Sequence, residues 1–147
     1  MRAVITRVRE ASVTVDGRVT GSISGGLLVL LGVGPNDTEA EAVRMADKVT
    51  GLRIFSDDRG KMNRNLAASG GELLAVSQFT LYADTKSRRP GFTGAAGPAL
   101  AETLYETFMA ECRRLGFRVS AGEFGGDMQV YSINDGPVTI LLDTDHM

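Results

Sequence analysis

A nearly unbroken apolar run from Leu27 to Val33 limits the folds that this chain can adopt. A strand with one face in water alternates apolar and polar residues, and this run does not. It therefore predicts a strand that is buried on both faces and has a covering layer on each side. With 147 residues, of which 43% are hydrophobic, the chain is long enough to form one domain around such a strand.

Further strands and two main helices can be placed around this run. The predicted strands are 2–9, the two arms of a hairpin at 12–20 with Asp16-Gly17 at its turn, 27–33, 52–55, 73–79, a short strand opened by Val119, 128–133 and 138–142. Apolar residues at helical spacing predict amphipathic helices over about 37–50 and 98–115. A glycine-, proline- and arginine-rich stretch predicts a long loop over 84–98. We expect residues 1–147 to form a single layered α/β or α+β domain.

Several catalytic chemistries are hard to build from this composition. His146, the only histidine, is next to the last residue, and Cys112 lies on the apolar face of the second predicted helix, where we expect a core residue. A Ser-His-Asp triad, a Cys-His pair and a His/Cys zinc site therefore lack their residues. The paired carboxylates Asp57-Asp58 and Asp143/Asp145 lie in a turn and in the tail, without further ligands nearby. We expect no metal and no cofactor.

Cysteine content and hydropathy indicate the compartment. A single cysteine cannot form an internal disulfide, and no apolar run approaches the roughly 20 residues that span a bilayer. Arg2 is followed by no signal-peptide core. We expect a cytoplasmic protein with no membrane association.

Cations cluster locally although the net charge of −2 does not indicate nucleic-acid binding. The two groups are Arg59, Lys61 and Arg64, and Lys86, Arg88 and Arg89. Each group lies in loop-like sequence. Either can be a solvated charged loop or a loop that contacts phosphates.

Three short segments could carry a site. Gly32 to Pro35 follows a strand but lacks the third glycine and the lysine of phosphate-binding loops, so a nucleotide site is not favoured there. The segment Ser77-Gln78-Phe79-Thr80-Leu81 ends a buried strand, either as an ordinary solvated strand end or as a pocket whose N–H groups and hydroxyls polarise a carbonyl. In Asn134-Asp135-Gly136-Pro137, between two apolar runs, the sequence allows a plain hairpin turn or a Gly-Pro backbone kept for function.

The last two segments resemble the signature motifs of the D-aminoacyl-tRNA deacylases, also called the D-tyrosyl-tRNA deacylase family. The resemblance covers essentially the whole chain. It extends to Arg7-Val8, Ala11 to Val15, Gly26 to Val33, Arg53 to Asp57 and Gly60 to Asn63. The chain departs from the family pattern at Ser87 to Phe92, where a glycine commonly precedes the Arg-Pro pair and a serine follows it.

The resemblance implies a homodimer with a mixed, curved or barrel-like sheet and helices packed outside it. The implied substrate is a tRNA mischarged with a D-amino acid, and the implied reaction is hydrolysis of its aminoacyl ester. The family's equivalent of Gly136-Pro137 has a cis peptide bond and reaches into the partner subunit's pocket. Rigid backbone carbonyls there would hold the α-amino group and exclude an L side chain. Glycyl-tRNA, which has no side chain to exclude, would be attacked as well.

The resemblance also suggests residue roles. The catalytic set is Ser77, Gln78, Phe79 and Thr80; the substrate-binding set is Gly136, Pro137, Asn134, Thr139 and Met128. We expect N–H groups near Phe79 and Thr80 to stabilise the oxyanion, while Ser77 and Gln78 shape the pocket and orient the adenosine.

Thr80 is a nucleophile by residue type, but no base stands near it in sequence, so we favour water assisted by the ribose 2′-hydroxyl. Asn134 and Thr139 are expected to hold the Gly-Pro turn, with a minor bracing role for Arg7.

The expected phosphate contacts come from the second basic group, Lys86, Arg88 and Arg89. Two rival functions stay open. One is a dimeric RNA-binding module without catalysis, and the other is a non-catalytic scaffold. Turnover of an aminoacyl ester separates the enzyme from both, and RNA binding separates the two rivals.

Overall fold

The computed structural model describes residues 1–147 and consists of a mixed six-stranded sheet, a separate two-stranded hairpin and three helices. The strands are β1 (Arg2–Val15), β2 (Arg18–Ile23), β3 (Gly26–Gly32), β4 (Phe55–Ser56), β5 (Met62–Arg64), β6 (Glu72–Ser77), β7 (Val119–Ala121) and β8 (Gln129–Asp143). The helices are α1 (Glu39–Gly51), the single turn α2 (Leu66–Ser69) and α3 (Pro98–Arg114), with 3₁₀ turns at Phe79–Tyr82 and Thr144–His146.

The main sheet is strongly curved because β1 is shared by three partners. Residues 2–8 of β1 pair with β3, residues 11–15 pair with β2, and β8 follows almost the whole opposite edge, all antiparallel. β3, β6 and β7 continue the sheet in parallel. At its far side β7 comes back against β2, where a Cβ on Gly21 would lie 2.4 Å from the Ala121 carbonyl oxygen. The sheet is thus nearly closed, as the expected barrel-like α/β fold requires.

The two-sided burial predicted for the apolar run is confirmed in β3. Leu27, Val29 and Leu31 are at most 1% exposed and belong to the larger core cluster, which also holds the apolar faces of α1 and α3. Leu28 points the other way, into a smaller cluster with β1, β2 and β6. One strand therefore supplies both cores, which is why its sequence does not alternate.

Both predicted long helices are present. α1 begins at a capping box in which the Thr38 backbone N–H donates to Glu41 Oε2 at 2.6 Å and Thr38 Oγ1 accepts from the Ala40 N–H at 3.3 Å. α3 starts on Pro98, which fits the first helical position because its missing N–H would have had no acceptor there. No helix combines the length and apolar character needed to cross a bilayer.

Several predictions need correction. The strand expected at 2–9 and the first hairpin arm at 12–15 are one strand, β1. The strand expected at 52–55 is only β4, because Leu52 to Ile54 run without ladder bonds. The strand expected to reach Phe79 ends at Ser77. The strands expected at 128–133 and 138–142 are one strand, β8. The tail that holds Asp143 and Asp145 packs against the N-terminus, since the Met1 amino group donates to buried Thr144 Oγ1 at 2.7 Å.

Cys112 is buried on α3, as predicted, and burial raises the pKa of its thiol to about 12. The neutral thiol is a poor nucleophile at that pKa. We expect no labelling by a thiol-specific disulfide reagent in the native protein in mildly alkaline buffer, and complete labelling after denaturation. Rapid labelling of the native protein would contradict the buried placement.

Candidate active site

The segment Ser77–Thr80 lies where the parallel strands β3 and β6 end. Ser77, opposite Leu31, is the last paired residue of β6. The Gln78 N–H still donates to the Leu31 carbonyl at 2.8 Å. The chain then turns out of the sheet, so that Ser77 and Gln78 are half-buried while Phe79 and Thr80 are exposed. The carboxyl edge of parallel strands is where open α/β sheets commonly bind ligands.

The 3₁₀ turn presents two adjacent backbone donors. Phe79 and Thr80 are its first residues, so their N–H groups have no acceptor within the turn. Hydrogen bonds from Leu81 N–H to Gln78 O (3.2 Å) and from Ala83 N–H to Thr80 O (3.1 Å) fix the turn. Paired N–H groups on a fixed turn can stabilise negative charge on a carbonyl oxygen.

The hydroxyl of Thr80 is engaged by an amide and not by a base. The Gln78 side-chain amide donates to Thr80 Oγ1. An amide cannot accept the proton of a hydroxyl as a general base does. This geometry does not activate Thr80 as a nucleophile.

The loop predicted at 84–98 is irregular but closed at its base. Asp84 and Gly91 exchange two backbone hydrogen bonds of 2.7 and 2.9 Å, which form an isolated antiparallel bridge. Phe92, just beyond it, packs edge-on against Phe79 with ring centroids 5.1 Å apart. The loop is therefore attached to the same turn that carries the two backbone donors.

The second basic group lies at the tip of this closed loop. The Lys86, Arg88 and Arg89 side chains are exposed, and none forms an ion pair. The Lys86 N–H donates to Asp84 Oδ1 at 2.9 Å and the Ser87 hydroxyl to Arg89 O at 2.8 Å, which shape the tip. The loop thus offers three unpaired cations beside the turn.

The Asn134 to Thr139 segment is a long bulge in β8 and not a hairpin turn. On β1, Asn134 lies opposite Val8 and Thr139 lies opposite Thr6. Val8 is two residues from Thr6 along β1, whereas Thr139 is five residues from Asn134 along β8. The extra residues of β8 therefore loop out of the ladder. Both flanking runs pair with the same neighbouring strand in the same direction, which excludes a hairpin.

The Gly136–Pro137 peptide at the centre of this bulge is cis and exposed. Asn134 spans the bulge, since its Nδ2 donates to Thr139 Oγ1 at 3.3 Å and its Oδ1 accepts from the Val138 N–H at 3.2 Å. Gly136 has φ +134°, a conformation that side-chain-bearing residues rarely adopt. The bulge therefore has a defined shape and an open face.

The Arg7 guanidinium binds the backbone of the Asn134–Thr139 bulge. Its side chain is 11% exposed; Nε donates to the Asp135 carbonyl at 2.9 Å, and Nη1 donates to the Ile54 carbonyl at 2.7 Å. The Asp135 carboxylate also lies 3.5 Å from Arg9. The sequence predicted a minor bracing role for Arg7 but not its contacts with Ile54 and Asp135, nor the Arg9–Asp135 ion pair, because these contacts join segments far apart in the chain.

The two motifs do not meet within one chain. β3 and β1 separate β6, which carries Ser77, from β8, which carries Gly136. Three strand spacings amount to about 14 Å.

Met128 packs against the smaller core cluster that includes Val76, and its sulfur accepts from the Glu123 N–H at 3.4 Å.

No three His, Cys, Asp or Glu side chains are grouped closely enough to hold a metal ion. Among the titratable groups with shifted pKa values, one lies in the Phe79–Tyr82 turn: burial raises the pKa of Tyr82. Burial also raises the pKa of Tyr105 to about 12; its hydroxyl donates to the Ala75 carbonyl at 2.7 Å, inside the core.

Known proteins resemble this chain over nearly its full length. A protein of Roseiflexus castenholzii named D-aminoacyl-tRNA deacylase is 63% identical, with 98% of this chain and 92% of that protein aligned. A protein of the same name from Lacticaseibacillus casei is 59% identical, with 99% of each chain aligned.

Two solved structures share the fold. One, titled c-Myc DNA Unwinding Element Binding Protein, has a TM-score of 0.93 and 40% identity over 98% of this chain and 99% of that chain. Another, titled as a probable eukaryotic D-amino acid tRNA deacylase, has a TM-score of 0.83 and 16% identity over 96% and 97%. The sequence profile of the D-Tyr-tRNA(Tyr) deacylase family matches residues 4–143, and the chain belongs to that family.

Proposed function

We propose that the protein is a D-aminoacyl-tRNA deacylase, which hydrolyses the ester of D-aminoacyl-tRNA and releases free tRNA and D-amino acid. The observation that carries this is the pair of backbone N–H groups that begins the Phe79–Tyr82 turn. In a family whose relatives are named D-aminoacyl-tRNA deacylase, such donors fit the oxyanion of an ester hydrolysis. We expect loss of the ester of D-tyrosyl-tRNA in the presence of the purified protein.

The nucleophile in this proposal is water. The Phe79 and Thr80 N–H groups stabilise the oxyanion, and Ser77 and Gln78 shape the pocket around the terminal adenosine. No side chain in the turn is a general base, so the ribose 2′-hydroxyl of the substrate assists the attack.

Replacing Thr80 by alanine tests this choice of nucleophile. Because Thr80→Ala keeps the backbone N–H, we expect it to retain most of the activity, whereas a substrate that ends in 2′-deoxyadenosine is cleaved much more slowly. Single-turnover rates with both substrates check this. Loss of activity in Thr80→Ala together with normal cleavage of the deoxy substrate would contradict the mechanism.

A homodimer completes the site. Since the two motifs lie on strands separated by two others, the Gly136–Pro137 bulge of one subunit reaches the Ser77–Thr80 turn of the other. The outer edge of β8 supports this arrangement, because β8 pairs only with β1 and a long unpaired edge is usually covered. Its exposed apolar residues are Val130, Tyr131, Ile133 and Leu141.

An open cleft continues this apolar edge towards the catalytic turn. Leu141, 77% exposed, lines a cavity of about 420 Å³ together with Arg2 and Leu81. Leu81 is part of the turn, and its carbonyl accepts from Arg2 Nη1 at 3.0 Å. A second copy that covers β8 therefore also borders the site.

Selection for D substrates follows from backbone atoms in this arrangement. The Gly136 and Pro137 carbonyls hold the α-amino group and occupy the space into which an L side chain projects. Asn134 and Thr139 keep the bulge in shape, and Met128 supports the pocket wall through its packing.

Glycyl-tRNA is the diagnostic substrate for exclusion by shape, since glycine offers no side chain to exclude. We expect its ester to be hydrolysed measurably, and that of L-alanyl-tRNA to survive as it does in buffer. Parallel deacylation assays check this. Equal protection of the glycyl and L-alanyl esters would contradict the exclusion argument.

The closed loop at 84–91 provides phosphate contacts. We expect Lys86→Gln/Arg88→Gln/Arg89→Gln to weaken tRNA binding and to flatten the plot of log affinity against log salt by about 0.7 for each phosphate that is no longer neutralised. Arg118→Gln removes an exposed cation at the opposite end of β6 and serves as control. Unchanged binding and slope in the triple variant would remove this role.

A nucleic-acid-binding module without catalysis is the second candidate. The structure titled c-Myc DNA Unwinding Element Binding Protein, at 40% identity, favours it, as do the unpaired cations of the loop. This candidate predicts tight nucleic-acid binding without ester turnover. A scaffold would show neither.

A further inference from the structure

The β4–β5 hairpin carries cations that the proposed site does not use. Arg59 and Lys61 are exposed at its tip and form no ion pair, whereas Arg64 pairs with Asp58 at 2.8 Å. Asp57 Oδ1 accepts from the Arg59 N–H at 2.9 Å and from the Lys61 N–H at 3.0 Å. The tip is therefore a fixed turn that presents two unpaired positive side chains.

This hairpin is attached to the Gly136–Pro137 bulge. The Arg7 guanidinium donates both to Ile54 O, just before β4, and to Asp135 O in the bulge. Phe55 and Asp135 also line one cavity of about 430 Å³. Because Arg7 is mostly buried, the two segments of one chain are joined as a unit.

We infer that Arg59 and Lys61 bind backbone phosphates of the tRNA whose aminoacyl ester lies in the partner subunit's pocket. The inference rests on the proposed function, in which the bulge enters that pocket. A hairpin tied to the bulge then lies beside the partner's site and not beside its own. Each tRNA is held by the 84–91 loop of the subunit that cleaves it and by the hairpin of the other.

Phosphates fit this surface better than protein carboxylates do. Four cations, Arg53, Arg59, Lys61 and Arg64, face two carboxylates in residues 53–64. Both carboxylates are already engaged, Asp57 by backbone N–H groups and Asp58 by Arg64. The two tip cations are thus left for an external polyanion.

The first test compares two substrates that share the ester but differ in phosphates. We expect Arg59→Gln/Lys61→Gln to lower the ratio of kcat/KM for D-tyrosyl-tRNA to that for D-tyrosyl-adenosine severalfold at low salt. For this double variant, the slope of log affinity for tRNA against log salt should flatten by about 1.4, which is about 0.7 for each of two phosphates. Arg18→Gln/Arg118→Gln, which removes one exposed cation at the start of β2 and one just before β7, should keep the wild-type ratio and slope. An unchanged ratio in the hairpin variant would overturn the inference.

Mixed dimers decide which subunit's hairpin acts. We expect Phe79→Pro to leave a pocket almost inactive, because it removes a backbone N–H. When one subunit carries Phe79→Pro and its partner carries the hairpin changes, the active pocket faces an intact hairpin, and we expect wild-type turnover per active site. When both changes lie in one subunit and the other is wild type, we expect the weakened tRNA turnover. The reverse pattern would overturn the trans placement.

Failure of the proposed function and failure of this inference give different kinetic results. If the wild-type protein cleaves neither D-tyrosyl-tRNA nor D-tyrosyl-adenosine, the proposed function fails. If wild-type turnover is normal and the hairpin variant behaves like the Arg18/Arg118 control, the function stands and this inference alone is wrong.

Discussion

Replacing Phe79 by proline is expected to lower the single-turnover rate of D-aminoacyl ester hydrolysis by about 10²–10³ relative to Phe79→Ala. Both variants lose the aromatic ring and its packing against Phe92. Only proline also removes the backbone N–H that is proposed to stabilise the oxyanion. The comparison therefore measures the main-chain donor and not the side chain.

The local backbone accepts this substitution. Phe79 is the first residue of the 3₁₀ turn, a position where proline's fixed φ suits the chain. Gln78 before it has φ −139° and ψ 80°, outside the helical region that a following proline disfavours. We expect equal thermal unfolding midpoints for the two variants. Equal hydrolysis rates in two folded variants would show that the Phe79 N–H does not take part.

Replacing Gly136 by alanine is expected to lower kcat/KM for D-aminoacyl-tRNA about tenfold or more. A Cβ at this position would lie 2.9 Å from Val138 Cγ2, 3.0 Å from Arg7 Nη2 and 3.1 Å from the Val138 backbone N. A non-glycine residue in a rarely populated backbone region costs about 1–3 kcal/mol, and about 1.4 kcal/mol corresponds to a factor of ten. The bulge must change shape, which moves the carbonyls proposed to hold the substrate.

Gly17→Ala is the matched control for this prediction. Gly17 also has a positive φ, +79°, but a Cβ there meets nothing within 4 Å, and it lies in the β1–β2 turn. Steady-state kinetics with D-tyrosyl-tRNA compare the two. Activity of Gly136→Ala within twofold of Gly17→Ala would contradict a functional shape for the bulge.

Patterns that depend on local spacing predicted the fold well. The missing alternation in Leu27 to Val33 predicted a strand buried on both faces, and the helical spacing of apolar residues gave α1 and α3 to within two residues. Cys112 was placed in the core by the same spacing. These features depend on side-chain periodicity, which the sequence displays directly.

Features set by long-range pairing were not predictable in this way. Turn-forming residues at 134–137 suggested a break between two strands, but β1 is long enough to pair with both sides and makes them one strand with a bulge. The 3₁₀ turn after Ser77 is too short to show a period. The Arg7 contact with Ile54 spans 47 residues and leaves no local signal.

Stereoselective ester hydrolysis is tested by a deacylation time course with D-tyrosyl-tRNA and L-tyrosyl-tRNA in parallel, in the presence of a metal chelator. We predict rapid loss of the D ester while the L ester survives as it does in buffer. Survival of both esters, with tRNA nevertheless bound, would contradict the proposed enzyme and favour the binding module. Equal loss of both esters would contradict selection by the Gly136–Pro137 bulge.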